Sequence, residues 1–375
     1  MSSIVILGSS FAALRAVKTL RQAGCTSPIT LIAPRPTLFF YPSLIWVPSG
    51  LRNEQDLTIP LDKFFARYQV TYQTGTVTGL DPVAHIVQTD KNTFAFDGLI
   101  IGSGGQFIKK LQGLEHSYLP CGGFQEIKAY TDKLNALEKG TLTFGFSANP
   151  KEPSAVRGGP VFEFLLGIDT LLRQQGRRDK FKLIFFNPST TPGQRLGGKA
   201  VTALLAEMAK RGIETHLGHK MQGFTANKVL TEGGEIASDL TLFMPGMTGP
   251  AWAEASGLPL SEGGFIKANE KCQVSGFEKI YIAGDGGSYV APDWLPKQAH
   301  MAELQATTAA KNLLLEMAGK TPTHTFKHEL VCIVDSLNQG MLVFRNDKQV
   351  RLLSPNRLLH WAKRIFEYWY LRQYR

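Results

Sequence analysis

The first part of the chain shows a pattern of strand, turn, helix and strand. A β-branched run at Ile4–Leu7 predicts a buried strand, and a similar run follows at 29–32. Between them, the small residues at 8–13 open a helix that continues to about Ala23, where Gly24 is suited to end it. The pattern predicts a βαβ unit, which is the usual opening of a doubly wound parallel sheet.

Strand and helix patterns alternate along the rest of the chain, which predicts a second Rossmann-like α/β domain inserted into the first. The strands predicted at 240–244 and 279–283 are expected to return to the first sheet. Other strands are predicted at 99–101, 141–145 and 181–186, and helices at 160–175, 199–211 and 300–315. The predicted domains are residues 1–115 with 235–320, residues 116–234, and a C-terminal segment at 321–375.

The tail, residues 356–375, predicts an amphipathic helix of a different kind. Leu358, Trp361, Ile365 and Trp369 recur at spacings of three and four, so they share one helical face. The same stretch carries five basic residues against a single acid, Glu367. Aromatic and cationic residues on one helix are typical of a membrane interface. The alternative is a terminal helix that docks on its own protein or on a second copy of the chain.

Length and charge narrow the classes of protein. A chain of 375 residues is too long for one ordinary core, in agreement with two domains and a tail. The net charge of +10 suits nucleic acid or an anionic membrane surface, but no nucleic-acid motif accompanies it. No apolar run reaches the roughly 18 residues that span a bilayer, and no secretory signal precedes the first strand. We therefore expect the protein on the cytoplasmic side of the cell membrane, without nucleic acid.

The four cysteines are widely separated. Cys25, Cys121, Cys272 and Cys332 form no CxxC pair and no zinc-binding pattern, so no metal site is predicted. Structural disulfides are not expected in a reducing compartment. A cysteine with a function here would act as a redox or nucleophilic thiol, and Cys25 and Cys272 are expected to be inert.

The first candidate site is the turn that carries Gly8, Ser10 and Ala13. A glycine permits the sharp turn, a small second residue lets a pyrophosphate approach the backbone, and a small third residue lets helix and strand pack closely. The helix N-terminus then offers free N–H groups to phosphates. The acid that usually binds the ribose is missing, because Ala33 stands there, and Arg35 is expected to lie against the adenine or a phosphate. A tight turn without a ligand is the alternative.

Two later glycine motifs extend this candidate site. Gly102 and Gly104 follow one predicted strand, and Gly284 and Asp285 follow another. An acid after a buried strand needs polar partners, which the ribityl hydroxyls of FAD would supply. The three motifs, in this order, resemble the FAD-dependent pyridine nucleotide–disulfide oxidoreductase superfamily. The resemblance implies FAD as the cofactor.

Within that superfamily, four stretches resemble the sulfide:quinone oxidoreductases and their flavocytochrome c relatives. The resemblance covers nearly the whole chain. It implies a peripheral membrane enzyme that passes electrons from sulfide, or a related sulfur compound, through FAD to quinone. The four stretches are the aromatic segment 39–46, the helix start 159–164, Pro296-Lys297 with 300–306, and 331–335 with the tail.

The resemblance also implies roles for single residues. Lys297 resembles the lysine at the flavin N1 and O2 edge, where a cation stabilises the anionic reduced ring. Glu163 resembles a glutamate near the sulfide side and is a candidate proton acceptor. Cys121 and Cys332 resemble the first and last cysteines of the family, the last lying beside the flavin. The alternatives are a surface lysine, a glutamate paired with an arginine, and a buried thiol left without a function.

One departure from the family pattern concerns the middle cysteine. Arg157 occupies about that position, so the usual pair of thiols across the flavin cannot form there. Sulfide oxidation needs a thiolate or disulfide to capture sulfide. Either Cys121 and Cys332 serve together, or Cys332 acts alone.

Other functions remain open at this point. The turn after the strand at 141–145 carries Pro150, Pro153 and bulky charged residues, which disfavour a nicotinamide dinucleotide. A type II NADH:quinone oxidoreductase is nevertheless an alternative, and a flavin-binding redox protein without turnover is another. The sequence leaves open a homo-oligomer and a covalent link between FAD and a cysteine.

Overall fold

A computed structural model describes residues 2–375 as a mixed α/β fold. In this part of the chain the helices are α1 (Phe11–Gln22), α2 (Glu54–Leu57), α3 (Asp62–Tyr68), α4 (Phe124–Ala136), α5 (Gly159–Gln174), α6 (Gly198–Lys210), α7 (Ala299–Met317) and α8 (Arg357–Arg372). Short 3-10 helices lie at Tyr41–Trp46, Leu114–His116, Arg178–Lys180, Gln194–Leu196 and Ala251–Ala253.

The strands outnumber the helices and alternate with them. They are β1 (Ile4–Leu7), β2 (Ile29–Ala33), β3 (Thr37–Phe39), β4 (Thr58–Pro60), β5 (Val70–Thr74), β6 (Val77–Asp81), β7 (Ile86–Thr89), β8 (Thr93–Ala95), β9 (Gly98–Ile101), β10 (Gln106–Phe107), β11 (Gly140–Phe146), β12 (Phe181–Asn187), β13 (Glu214–Leu217), β14 (Met221–Thr225), β15 (Lys228–Thr231), β16 (Gly234–Ala237), β17 (Leu240–Met244), β18 (Met247–Thr248), β19 (Ile266–Ala268), β20 (Ile280–Ile282), β21 (Gly287–Tyr289), β22 (Glu329–Asp335), β23 (Gly340–Asn346) and β24 (Val350–Asn356).

The first sheet has five parallel strands in the order β20-β9-β1-β2-β5. Ile4 on β1 lies opposite Ile29 on one side and Gly98 on the other, so β1 is central. The chain runs from β1 to β2 and β5, and only later to β9 on the other side of β1. This reversal opens a crevice at the carboxyl ends of β1 and β9, which is where doubly wound sheets bind ligands.

The second sheet has four parallel strands in the order β13-β12-β11-β17. The expectation that the strand at 240–244 returns to the first sheet is wrong, because Leu240 pairs with Leu142 of β11. The Asp239 carboxylate strengthens this pairing by accepting a hydrogen bond of 2.7 Å from the Thr141 N–H. A fully buried apolar run carries no signal of which sheet it joins. The strand near 280 does join the first sheet, since Tyr281 pairs with Ile100.

A third sheet, which the sequence analysis did not predict, connects the two domains to the tail. It is the antiparallel sheet β22-β23-β24, and α8 follows β24 directly. Cys332 lies on its first strand, opposite Val343. The Asp335 N–H at the end of that strand donates a 2.9 Å hydrogen bond to Glu163 of α5. The sheet therefore places a cysteine and the tail helix against the second domain.

The predicted α/β class and the helical tail are confirmed. The predicted domain limits stay a prediction, apart from the strand at 240–244. In the part of the chain from residue 2 onward, no helix combines the length and the hydropathy needed to cross a bilayer.

Further small sheets are β3-β4, β6-β7-β8, β10-β18, β14-β15-β16 and β19-β21.

Candidate functional site

The predicted phosphate turn is a tightly packed cradle. Gly8 has φ +103°, and a Cβ atom on it would stand 2.5 Å from the Gly102 carbonyl oxygen. A Cβ atom on Gly102 would in turn stand 3.0 Å from the Ala13 nitrogen. Ser10 caps α1 with extended backbone, its side chain makes no capping bond, and no acid lies in the first turn. The free N–H groups of this helix start therefore fit a pyrophosphate.

The other two glycine motifs lie close to this cradle. Gly284 has φ +86°, and a Cβ atom on it would lie 3.5 Å from the Ala12 Cβ of α1. Its N–H donates to the Gln305 Oε1 of α7 at 2.9 Å. Gly104 has φ +74° and open space on its Cβ side. The structure thus brings the three motifs to one edge of the first sheet, in an arrangement that fits FAD.

Asp285 has a charged partner that was not predictable from the sequence. Its carboxylate forms an ion pair with Arg157, the residue expected at about the position of the family's middle cysteine. The Arg157 Nη2 also lies 3.5 Å from the Lys297 carbonyl oxygen. Both charged side chains are about one-fifth exposed, 21% for Arg157 and 19% for Asp285. In the sequence, Arg157 was distinguished only because the family pattern implies a cysteine at about its position.

Lys297 is fixed against the same turn. Its Nζ donates to the Asp285 carbonyl at 3.0 Å and to the Gly287 carbonyl at 2.8 Å. The Nζ also lies 3.9 Å from the centre of the Phe265 ring. Burial lowers the pKa of Lys297 to about 7. The surface-lysine alternative is therefore wrong, and this residue carries a proton that is easily lost near neutral pH.

Arg35 lies in the loop after β2, which contacts the Gly8 turn, since the Ser9 hydroxyl donates to the Thr37 carbonyl at 3.1 Å. The Arg35 side chain is exposed. Burial raises the pKa of Tyr41, and the nearby positive charge of Arg35 opposes that rise. Ala33, at the usual position of the ribose-binding acid, is buried, and its carbonyl accepts a 2.7 Å hydrogen bond from the Tyr72 hydroxyl. The contact of Arg35 with adenine or phosphate stays a prediction.

The four cysteines are free thiols in the part of the chain that the structure describes. Cys121 and Cys332 both pack against the core of the second domain. Burial raises the pKa of the Cys121 thiol, while the charge and hydrogen bond of Arg157 oppose that rise. Burial, with a contribution from Glu163, raises the pKa of Cys332 to about 12. Neither thiol is therefore a ready thiolate at neutral pH.

Glu163 is buried and held by the C-terminal helix. Its Oε1 forms an ion pair with Lys363 of α8 and accepts the hydrogen bond from Asp335. The Lys363 Nζ also donates to the Ile333 carbonyl at 3.1 Å. Burial raises the pKa of Glu163, although Lys363 opposes this. Because the Glu163 charge acts on Cys121 and Cys332 alike, the carboxyl and both thiols occupy one region.

A second buried acid, Asp335, joins three distant segments. It accepts hydrogen bonds from the Trp46 Nε1 at 3.1 Å, the Leu337 N–H at 2.8 Å and the His360 Nδ1 at 2.7 Å. Burial acts against the charge, but His360, Lys363 and Trp46 together hold the Asp335 pKa below its usual range. The likeness of the 39–46 segment to the family is the one feature of the sequence that pointed to this cluster.

The two faces of α8 reverse the usual polarity of a surface helix. The face toward the protein carries polar groups, including Glu367, which accepts a 3.0 Å hydrogen bond from the Arg52 Nε. The outer face is apolar and aromatic and more than half exposed. Its residues are Leu358, Trp361, Ile365, Phe366, Tyr368 and Trp369. The helix therefore docks on its own protein through its polar face, while its apolar face stays uncovered in the described chain, and binding to a membrane interface stays a prediction.

The second domain lacks a tight dinucleotide turn. Residues 147–158 separate β11 from α5, where a Rossmann turn would need only a few residues. Asn149 anchors this segment, since its Nδ2 donates to the Met247 carbonyl at 2.9 Å and the Gly263 carbonyl at 3.0 Å. The segment gives the pyrophosphate of a nicotinamide dinucleotide no cradle like the one at Gly8.

The chain is similar to known proteins in both sequence and fold. The sequence model of the family described as "Pyridine nucleotide-disulphide oxidoreductase" matches residues 184–306. The fold is that of FAD-binding oxidoreductases similar to this class, and the glycine motifs of the site fit FAD. Its likeness to sulfide-quinone reductases, predicted from the motifs, is confirmed.

Individual relatives show how far this likeness extends. The chain is 22% identical to "Sulfide-quinone reductase" of Aquifex aeolicus over 98% of its length and 90% of the relative. The solved structure of the sulfide:quinone oxidoreductase from Aquifex aeolicus superposes with a TM-score of 0.91, covering 100% of this chain and 92% of that one at 22% identity. The chain is also 22% identical to a type II NADH:quinone oxidoreductase of Staphylococcus epidermidis, over 87% of this chain and 85% of the relative.

Proposed function

We propose that the protein is a peripheral membrane flavoenzyme that passes electrons from sulfide, or a related sulfur compound, through FAD to quinone. The observation that carries this proposal is the buried Glu163–Lys363 pair, which joins the region of Cys332 to the helix with the uncovered aromatic face. The likeness to sulfide-quinone reductase along nearly the whole chain supports the same assignment. The pair would thus connect the site of the sulfur donor to the helix that binds the membrane.

On the flavin side, the glycine cradles hold the cofactor and Lys297 tunes it. Gly8, Ser10 and Ala13 would bind the pyrophosphate, and Asp285 would lie at the ribityl chain. FAD supplies a two-electron acceptor when bound. Lys297, fixed on the Asp285 and Gly287 carbonyls, would place its charge beside the ring edge.

On the sulfur side, Cys332 captures the donor and Glu163 takes the proton. An S–S bond between hydrosulfide and Cys332, with the thiol S–H bond broken, would give a persulfide and release one proton and two electrons. Glu163 would take the proton, and FAD, when bound, would supply the two-electron acceptor. The raised pKa of Glu163 suits a proton acceptor near neutral pH. The pKa of Cys332, near 12, makes such an acceptor necessary. Cys121 lies in the same region and would serve as the helper thiol.

On the membrane side, α8 would lie in the interface on the cytoplasmic face. Its exposed aromatic residues would enter the lipid boundary, and its arginines would meet anionic headgroups. Arg364 stacks on Trp361 at 4.8 Å and Arg372 on Trp369 at 5.4 Å, so charge and apolar surface alternate along the helix. The same face would open toward the quinone pool.

Each predicted domain would carry one part of this function. Residues 1–115 with 235–320 would hold FAD, except that β17 (Leu240–Met244) belongs to the second sheet. Residues 116–234 would carry Cys121 and Glu163, and residues 321–375 would carry Cys332 and the membrane helix.

Steady-state kinetics test the proposal. Purified protein loaded with FAD is supplied with sulfide and a short-chain ubiquinone analogue, and quinol formation is followed. We expect turnover that falls at least tenfold in Cys332→Ser. A control variant, Cys25→Ser, removes a thiol outside the described site and should leave the rate unchanged. An unchanged rate in Cys332→Ser would contradict the assigned capture step.

The second candidate is a type II NADH:quinone oxidoreductase, since relatives with that name match most of the chain. The segment at 147–158 argues against it, and rapid reduction of the flavin by NADH would promote it. The third candidate, a flavin-binding redox protein without turnover, would follow from the loss of the middle cysteine at Arg157. Quinone reduction with any donor excludes that candidate.

A further inference from the structure

The last residues of the chain pack against α1 and α3. Tyr374 is 1% exposed, and its ring centre lies 5.6 Å from that of Phe64 on α3. The Arg67 Nη1 of α3 donates to the Gln373 carbonyl at 2.9 Å, and the Lys18 ammonium of α1 donates to the Gln373 side chain. Aromatic burial and hydrogen bonds to two helices therefore fix the end of α8 on the first domain.

One turn earlier in α8, Tyr370 lies beside the start of α1. Its ring centre is 6.0 Å from that of Phe11 and 5.6 Å from that of Phe40. The Phe11 and Phe40 rings are themselves 6.0 Å apart, so the three rings pack together. Phe11 is the first residue of α1 and directly follows Ser10 of the predicted phosphate turn. Tyr370 therefore packs against the residue that begins the helix whose free N–H groups fit a pyrophosphate.

Polar contacts fix the orientation of Tyr370 and connect it to a second glycine motif. Its hydroxyl donates to the Glu303 Oε1 of α7 at 2.8 Å, and the Arg15 Nη2 of α1 lies 3.5 Å from the Glu303 Oε2. Burial raises the pKa of Tyr370, so the hydroxyl stays protonated and remains a donor. Two residues further along α7, Gln305 accepts the hydrogen bond from the Gly284 N–H. Tyr370 is thus held between the two helices that support the glycine motifs.

The packing around Phe11 depends on the docked position of α8. Leu371 is 3% exposed and, like Tyr374, belongs to the core that contains the α1 side chains. On the other side of Tyr370, the Phe366 ring centre lies at 5.6 Å, and Phe366 itself is 60% exposed on the outer face. If the end of α8 left this position, Phe11 would lose one side of its packing, and the start of α1 would lose a support.

We propose that Tyr370 is a positioning residue for FAD, which acts through Phe11 on the start of α1. While α8 is docked, the Tyr370 ring holds Phe11, and thereby the N–H groups of the Gly8 turn, in the direction of the pyrophosphate. Because linked equilibria are reciprocal, FAD favours the docked tail by the same factor by which the docked tail favours FAD. The inference needs no sulfur donor. Its consequence for the membrane, that FAD loading fixes the helix with the uncovered aromatic face, rests on the proposed function.

Titration of the full-length apo-protein with FAD tests the positioning role. We expect the Kd for FAD to rise at least tenfold in Tyr370→Leu, which removes the ring. Tyr370→Phe keeps the ring and loses the hydroxyl, and its Kd should stay within threefold of wild type. The matched control is Tyr368→Leu, which removes a ring that is 59% exposed and should change the Kd less than twofold. The free energy of unfolding of each apo-protein is also measured, because a merely structural role would lower it and leave the Kd unchanged.

Hydrogen exchange in the wild-type protein tests the reciprocal effect. We expect FAD to slow the exchange of amides in the last turn of α8 by a larger factor than in α4 of the second domain. In Tyr370→Leu this excess should disappear. If Tyr370→Leu does not fold, the comparison between wild-type protein with and without FAD carries the test.

Three results would overturn the inference. They are a Kd in Tyr370→Leu within twofold of wild type, an equal rise of the Kd in Tyr368→Leu, and exchange in α8 that FAD slows no more than in α4. Vesicle binding and flavin reduction by sulfide are measured in parallel. If either of these fails while the Kd for FAD depends on Tyr370, the proposed function is lost and the inference stands. If both succeed and the Kd is independent of Tyr370, only this inference is lost.

Discussion

The Arg157 guanidinium forms an ion pair with the Asp285 carboxylate, and so connects the second domain to the flavin-binding turn. Sulfide:quinone oxidoreductases are expected to carry a thiol at about this position. Here a cation stands there instead, and it also counteracts the burial that raises the pKa of Cys121. An arginine where the resemblance implies a thiol would change the charge of the site as well as its number of thiols.

Arg157→Gln should weaken both effects. The Asp285 carboxylate would lose its partner, and we expect the free energy of unfolding to fall by about 1–3 kcal/mol. The Cys121 pKa should rise further, so that alkylation of Cys121 slows at a given pH. Denaturant unfolding and mass spectrometry of the alkylated protein measure the two changes. Lys128→Gln, which breaks an exposed pair with Asp132, should alter neither.

Lys297→Met should lower the midpoint potential of the bound flavin. The Lys297 pKa is about 7, so its charge is present below that pH and lost above it. We expect the variant to lie about 30 mV or more below wild type under acidic conditions, a shift that corresponds to ~1.4 kcal/mol for two electrons. The difference should shrink as the pH rises through 7. The control is Lys267→Met, which replaces an exposed lysine on β19. An equal shift of the midpoint potential in this control would exclude a specific role of Lys297 in tuning the flavin.

Asp335→Asn should loosen α8 and remove an acid-sensitive contribution to stability. The Asp335 pKa is lowered in the folded protein, so its contribution is present above the unfolded value of 3.8 and is lost as the pH falls below that value. We expect the variant to be less stable by about 1–3 kcal/mol at neutral pH. The deficit should vanish in acid, and hydrogen exchange should accelerate in α8. Asp132→Asn, at an exposed site, should behave as wild type.

The double variant Trp361→Gln with Trp369→Gln should impair membrane binding without disturbing the fold. Both side chains are more than half exposed on the outer face of α8. We expect affinity for vesicles that contain anionic lipid to fall at least tenfold, which corresponds to ~1.4 kcal/mol. Vesicle co-sedimentation measures this change. Val83→Ser with Val290→Ser, two exposed apolar residues elsewhere, is the control, and equal loss in it would point to nonspecific adsorption.

The regular parts of the fold were predictable from the sequence. The strand at Ile4–Leu7 and the helix ending at Gln22 follow from local periodicity and from a glycine suited to end the helix. The sheet that receives Leu240–Met244 was not predictable, because an entirely buried strand looks the same in either sheet. The antiparallel sheet at 329–356 was also missed.

The glycines of the candidate site were predictable, while its charge pairs were not. Gly8 and Gly284 were predictable because a glycine is required at each position. The backbone angles and close contacts there exclude a side chain. The Glu163–Lys363 pair joins residues 200 positions apart, and such a contact depends on tertiary packing alone. The resemblance placed Glu163 near the site, but only the structure shows that the tail helix holds it.

Anaerobic mixing of sulfide with the purified, flavin-loaded protein tests the central claim most directly. The account predicts that the visible absorbance of the oxidised flavin disappears on addition of sulfide and returns when a quinone is added. A flavin that remains oxidised in excess sulfide, yet is reduced chemically by dithionite, would contradict the claim that a sulfur compound is the electron donor.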